Sequence, residues 1–141
     1  VVQGTDATIC GAIVNNIAPI SDDDNCAVTS VTWDLTGATS GTGNTDASGT
    51  TFNVGTTTVT YTAHDAAGNT GTCSFDVVIS DDDDPTITCP GDVVQGTDAT
   101  ICGAIINNIA PISDDDNCAV TSVTWDLTGA TSGTGNTDAS G

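Results

Sequence analysis

Residues 1–49 of this chain recur almost letter for letter as residues 93–141. The visible change is Val14 to Ile106, an apolar swap. Near-identity over such a length marks a whole domain and not a solenoid unit. The 141 residues thus hold one repeat and a half, cut out of frame. The run Ser80-Asp-Asp-Asp-Asp-Pro85 reads as the boundary. Like charges extend a chain, and Pro interrupts strand pairing. The expected organisation is a repeat at 1–80 that lacks its first strand, an acidic linker at 81–84, and the N-terminal part of the next repeat at 85–141. The chain begins at Val1 inside a strand-like stretch, so it reads as an excerpt.

Within one repeat every periodic segment is a strand. Thr86 to Cys89 reads as a first strand, stopped by Pro90. Thr8 to Ile17 reads as a second. Val31-Thr-Trp-Asp-Leu35 alternates strictly, which puts Val31, Trp33 and Leu35 inward. Thr51 to Val54 is a short strand, and Thr57 to Ala63 turns Val59, Tyr61 and Ala63 inward. Thr72 to Ile79 places Cys73, Phe75, Val77 and Ile79 on one face. Gly, Asn, Asp and Ser clusters separate these runs. About seven short strands with this punctuation predict an all-β, immunoglobulin-like sandwich. No segment carries a helical period of useful length.

The chain has no Lys and no Arg, and its 19 acidic residues, all Asp, give a net charge of -19. No side-chain cation can neutralise a phosphate, which argues against nucleic acid and anionic lipid as partners. No apolar run reaches the roughly 18 residues of a membrane helix. Carboxylates without cationic side chains must be solvated, capped by backbone N–H groups, or neutralised by metal ions. The six Cys, with no C-x-x-C spacing, read as disulfides in an oxidising, extracellular compartment.

These residues resemble the hyalin repeat family. The resemblance covers the whole repeat. It rests on Pro85-Thr-Ile-Thr-Cys-Pro90, Ile101-Cys-Gly-Ala104 and Ser113-Asp-Asp-Asp-Asn-Cys118. In the first copy it adds Val54-Gly-Thr-Thr-Thr-Val-Thr-Tyr-Thr-Ala63, Asp65-Ala-Ala-Gly-Asn69 and Thr72-Cys-Ser-Phe75. It implies an extracellular, immunoglobulin-like module that occurs in tandem, is linked to adhesion and performs no catalysis. The chain departs from the family in its threefold Asp before Asn-Cys, in the tetra-Asp linker and in His64, where Thr is usual.

The Asp clusters are the candidate metal ligands. Neighbouring carboxylates about 6 Å apart repel by roughly 0.7 kcal/mol per pair even in water. A hard dication removes that cost, and Ca2+ takes six to eight oxygen ligands from flexible loops. The expected ligands are Asp22, Asp23 and Asp24, with their copies Asp114, Asp115 and Asp116. Asp65 and Asn69 from another loop, and Asp81, Asp82, Asp83 and Asp84 from the linker, complete the set. The turn holding Asp6 belongs at the opposite pole, facing the linker that follows. Solvated, turn-forming Asp is the plain alternative. His64 has neither a nucleophile elbow nor a second His beside it and reads as a surface residue. Adjacent Asp on loops match poorly the two isolated carboxylates of a glycosidase cleft.

Four Cys per repeat allow three connectivities. The Cys of the Cys73 strand and the Cys of the Cys89 strand share the parity of inward apolar neighbours. That suits a bridge across the core of each repeat near Trp33, with Cys73 expecting its partner from before Val1 and Cys89 from after Gly141. A bridge between the first two strands, Cys89 to Cys102, is also conceivable. The resemblance implies the first arrangement, since shorter family members keep that pair alone. Cys10 is then left for Cys26, and Cys102 for Cys118.

Two functions fit. The leading one is a structural or adhesive segment of a cell-surface fibre, built from near-identical repeats and stiffened by calcium at the domain junctions. Its partners are adjacent repeats of the same polymer, with other fibres or a surface glycan beyond them. The other is a spacer or carbohydrate-binding accessory module of a secreted enzyme. Neither reading makes this chain an enzyme. The excerpt as cut cannot complete two sandwiches, because the second copy stops before strands equivalent to Thr51–Val54, Thr57–Ala63 and Thr72–Ile79.

Overall fold

The computed structural model describes residues 1–136; residues 137–141, the end of the recurring stretch, lie outside the described residues. The chain divides into two compact units, Val1–Asp83 and Asp84–Gly141. The first holds seven strands: β1 (Val2–Gly4), β2 (Gly11–Val14), β3 (Val28–Gly37), β4 (Gly41–Asn44), β5 (Thr50–Asn53), β6 (Gly55–Asp65) and β7 (Thr70–Ser80). Five form one sheet in the order β1-β7-β6-β3-β4, and β2 pairs with β5 in a second. β1 runs parallel to β7, with Val2 opposite Val78; the other pairs are antiparallel. This is an all-β, immunoglobulin-like sandwich.

Strict alternation builds the core. Leu35 on β3, Val59 and Tyr61 on β6, and Val77 and Ile79 on β7 face Ala12, Val14 and Phe52 from the other sheet. Ile17 and Ala47 close its ends, and Val31, Trp33 and Phe75 pack at its margin. Thr57 is wholly buried, but its hydroxyl accepts the Thr39 N–H at 3.0 Å, which offsets the loss of water. The Tyr61 hydroxyl accepts the Ala47 N–H at 2.9 Å and donates to Asp46 at 3.4 Å. Burial, ahead of the nearby Asp46 charge, raises the Tyr61 pKa, so the donor form is kept.

The strands differ from expectation in two places. The second strand is shorter than Thr8 to Ile17, because Asp6 draws the chain into a turn. The Asp6 N–H donates to Gly11 O at 2.7 Å, and Ile9 N–H donates back to Asp6 O at 3.1 Å. β4 was not foreseen, because Gly41-Thr-Gly-Asn44 shows no apolar alternation. Its glycines serve Trp33 instead. A Cβ on Gly43 would overlap the six-membered ring of Trp33, whereas one on Gly41 would sit in ordinary contact, 3.7 Å from it.

The second unit adds β8 (Thr86–Thr88), β9 (Ser113–Asp115), β10 (Thr124–Leu127) and β11 (Gly133–Asn136). β8 pairs with β9, and β10 with β11, both antiparallel. The β10–β11 hairpin keeps the register of β3–β4, and Trp125 lies over Gly135 as Trp33 lies over Gly43. Among its described residues no side chain is fully buried. Gly103–Ile106 has the sequence of β2 with one methylene added, yet it forms no strand. The sequences of β5, β6 and β7 do not recur within residues 93–141.

Gly43→Ala should therefore destabilise the first unit by about 1–3 kcal/mol, the usual range for forced overpacking. Gly41→Ala, with room for the methyl, should change little. Denaturant unfolding followed by tryptophan fluorescence checks both; equal effects would show that the ring is not what fixes Gly43.

Candidate functional site

The expected ligands do not all gather in one place. Asp23, Asp24, His64, Asp65 and Asn69 surround one depression of about 200 Å3, beside the β6–β7 turn. Asp22 faces a neighbouring depression with Pro19, Tyr61 and Cys73. The linker lies at the other end of β7. There a Cβ on Gly4 would collide with the Asp82 carboxylate, and Thr5 Oγ1 donates to Asp83 Oδ2 at 3.3 Å. The segment between β1 and β2 thus meets the linker, as expected of the Asp6 turn. Asp81 and Asp84 are exposed.

Asp24 and Asp65, near the β6–β7 turn, each have a local task. Asp24 Oδ1 accepts the Cys26 and Ala27 N–H groups at 2.7 and 3.2 Å, which leaves Oδ2 for another partner. Asp65 Oδ1 accepts from Ala67 N–H at 2.9 Å and Asn69 N–H at 2.7 Å, and Oδ2 accepts from Asn69 Nδ2 at 2.7 Å. The Asn69 side-chain bond, aided by the turn's N–H groups, lowers the Asp65 pKa below the usual carboxylate value. Asp65 and Asn69 are therefore largely spent on each other. Asp23 is exposed. His64 is fixed to the sheet, with Nε2 3.1 Å from Thr32 Oγ1 and its carbonyl accepting from Thr29 Oγ1 at 2.8 Å.

The second copy repeats part of this. Asp116 Oδ1 accepts the Cys118 and Ala119 N–H groups at 2.7 and 2.9 Å, matching Asp24. Asp114 and Asp115 were expected in a loop; instead they lie in β9, opposite Ile87 and Thr86. Strand pairing uses their backbone only, so both side chains remain exposed.

Cys10 and Cys118 are disulfide-bonded, whereas Cys26, Cys73, Cys89 and Cys102 are free and exposed. Neither expected pair, Cys10 with Cys26 or Cys102 with Cys118, is formed. Cys26 stays on the turn capped by Asp24, and Cys102 inside the turn closed by the Asp98 N–H to Gly103 O bond of 2.7 Å. Cys73 keeps the inward parity of Phe75, Val77 and Ile79, but burial falls off along that face and leaves its thiol uncovered.

Sequence reasoning missed the apolar cleft beside Cys73. It measures about 360 Å3 and is lined by Ile17, Pro19, Ile20, Tyr61, Cys73 and Phe75, among others. Ile20 is fully exposed there.

Residues 17–79 match the HYR domain family. Over this stretch the chain is similar to a HYR domain. The match runs from Ile17, past the end of β2, to Ile79 near the end of β7. The chain is also 38% identical over 86 residues to Hyalin of Strongylocentrotus purpuratus, a match covering 59% of this chain and 7% of that protein. The chain thus spans a small fraction of the length of its curated relative. No solved structure matches it significantly.

The Asp65 turn closes the pole of the first unit, and its pKa sets a pH window. A carboxylate whose folded pKa is depressed stabilises fully above its unfolded value of about 3.9. That contribution is lost as pH falls through the folded value. Asp65→Asn should lower the melting temperature at pH 7, and the gap to wild type should narrow as the pH falls below the unfolded value of about 3.9. Thermal melts on both sides of that value check this; a gap independent of pH would separate the turn from its charge.

Proposed function

We propose that the chain is a segment of an extracellular adhesive or structural fibre, made of near-identical immunoglobulin-like repeats and without catalytic activity. The near letter-for-letter recurrence of residues 1–49 at 93–141 carries this reading. An enzyme gains nothing from copying one module without drift, whereas a fibre gains length and uniform stiffness. The likeness to the HYR domain and to Hyalin supports an extracellular, adhesion-type role. Among the described residues no helix is long and apolar enough to cross a membrane.

Calcium is the proposed stiffener. The donor set is all oxygen, which suits a hard cation. At the pole of the first unit Asp23 and Asp24 Oδ2 would serve as ligands, with Asp65 and Asn69 shaping the loop beside them. Asp22 lies in the neighbouring depression of the first unit. Asp114, Asp115 and Asp116 repeat the sequence of Asp22 to Asp24 in the second copy, and Asp81 to Asp84 of the linker are further carboxylates that a cation would neutralise. Bound Ca2+ would cancel carboxylate repulsion that otherwise drives these loops apart.

Ligand binding to the folded state alone stabilises it by about 2.7 kcal/mol at a hundredfold excess over Kd. Calcium should therefore raise the melting temperature of the chain. Asp24→Asn, which keeps an acceptor for Cys26 and Ala27 N–H but removes the charge, should cut that rise. Scattering from a multi-repeat array should give a longer maximum dimension with calcium than with chelator. Identical melts and dimensions in both conditions would remove calcium from the proposal. Adhesion is tested separately: beads coated with the array should cluster, and beads that stay dispersed would leave a purely structural segment.

A further inference from the structure

β1 and β7 run side by side in the same direction, with Val2 opposite Val78, Gln3 opposite Ile79 and Gly4 opposite Ser80. The ladder is closed at its ends by the Val78 N–H on Val1 O at 2.9 Å and the Thr5 N–H on Ser80 O at 3.1 Å. The path of the chain enters this ladder at the start of β1 and leaves it at the end of β7. Tension along the chain therefore draws β1 backward, toward its own N-terminal end, and β7 forward. In a parallel pair these two pulls lie along the strands and oppose each other across the same hydrogen bonds. An antiparallel pair at the same two points would be opened from one end.

We propose that the β1–β7 ladder is a shear clamp, the contact that keeps the first unit closed when the chain is under tension. Bonds sheared together share the force and break only as a group. Bonds peeled from one end carry it in turn and break singly. The proposal deepens the reading of the chain as a fibre segment, on which the use of such a clamp rests. Calcium and adhesion play no part in it.

The ladder is also the weakest joint on the path of the force. β6 holds the other side of β7 along almost its whole length, from Gly55 opposite Ile79 to His64 opposite Thr70, and Val77 and Ile79 are buried in the core. β1 has three residues, lies at the sheet edge and leaves Val2 79% exposed, so backbone bonding is its main hold. The stretch after β7 lengthens the grip. The Asp82 carboxylate fills the space that a side chain on Gly4 would need, and Thr5 Oγ1 donates to Asp83 Oδ2. Exposed backbone bonds add little to equilibrium stability. Forced unfolding, by contrast, is governed by the barrier to opening. The clamp thus sets a force threshold without setting the melting temperature.

Single-molecule pulling of the 141-residue chain from its two ends tests this, under reducing conditions so that no disulfide shortens the path of the force. Opening of the first unit is recognised by its gain in length, about 3.5 Å per residue released. Val1, Gln3 and Thr5 share one parity, and the outer two are bonded to β7, so Gln3 turns its N–H toward β7 and Val2 turns its N–H away. Proline cannot donate to a ladder. Gln3→Pro should shift the opening of the first unit to lower force and leave its denaturant midpoint close to wild type. Val2→Pro removes no ladder bond and should open at the wild-type force. A second measurement needs no substitution in β1. With one handle moved to the β6–β7 turn, after Ala67, β1 is drawn forward over itself and peels, so the first rupture should come at lower force than with end-to-end pulling. Equal forces in the two directions would overturn the clamp. So would an unchanged force in Gln3→Pro, an equal drop in Val2→Pro, or a fall in the Gln3→Pro midpoint that matches its fall in force.

Discussion

The pairing of β2 with β5 decides whether this sequence becomes a domain or remains a string of turns. β2 spans residues 11–14 and β5 spans 50–53, with Ala12 opposite Phe52. The ribbon they form is the lid over the inner face of the five-stranded sheet. It buries Ala12, Val14 and Phe52 against Leu35, Val59, Val77 and Ile79. Burying a large apolar side chain contributes roughly 1.5–3 kcal/mol, but only if the opposing face exists. The chain itself contains the control. Ala104 and Leu127 repeat Ala12 and Leu35 in a stretch, residues 93–141, that contains no copy of β5, and neither is buried. The same residues therefore have two fates, set by whether their partner strands are present.

The fold and the candidate site were unequally legible in the sequence. Alternation in Val31-Thr-Trp-Asp-Leu35, Thr57–Ala63 and Thr72–Ile79 located β3, β6 and β7, because period-two burial is written directly in side-chain order. β4 was illegible, since its glycines answer to the ring of Trp33 on the neighbouring strand and not to any pattern of their own. The Asp runs were legible as clusters but not as tasks. Which oxygen of Asp24 or Asp65 is taken by a backbone N–H depends on turn geometry, which spacing alone does not define. The cysteines were least legible. Parity gave Cys73 its face correctly, but pairing depends on three-dimensional proximity. The expected bridges to Cys26 and Cys102 are accordingly absent.

A chain without Lys or Arg satisfies several of its carboxylates with nearby backbone. Asp6, Asp24, Asp46 and Asp65 each accept an N–H within seven residues along the chain. The bond from Ser48 N–H holds the Asp46 pKa below its ordinary value, as the Asn69 side chain does for Asp65. These bonds are charge-assisted and local, so they need no long-range contact to form. The acidic residues thus serve the turns first. What is left for a cation is the second oxygen of a capped carboxylate or an uncapped Asp such as Asp23.

This division between local and distant interactions explains what survives in the second copy. The Asp98 turn repeats that of Asp6, with the Ile105 N–H on Asp98 Oδ2 at 2.9 Å against Ile13 on Asp6 at 2.8 Å. Asn108 holds the left-handed φ of 58° found at Asn16, and the Asp116 cap repeats that of Asp24. The hairpin with Trp125 also survives, because its two strands are close in sequence. β3, by contrast, extends from Val28 to Gly37 along β6, while its copy β10 covers only Thr124–Leu127. Loop closure between close residues costs little, and long-range pairing must be repaid by burial. Turns, caps and the short hairpin are therefore properties of the repeated sequence itself. The sandwich is a property of the sequence plus the strands that complete it.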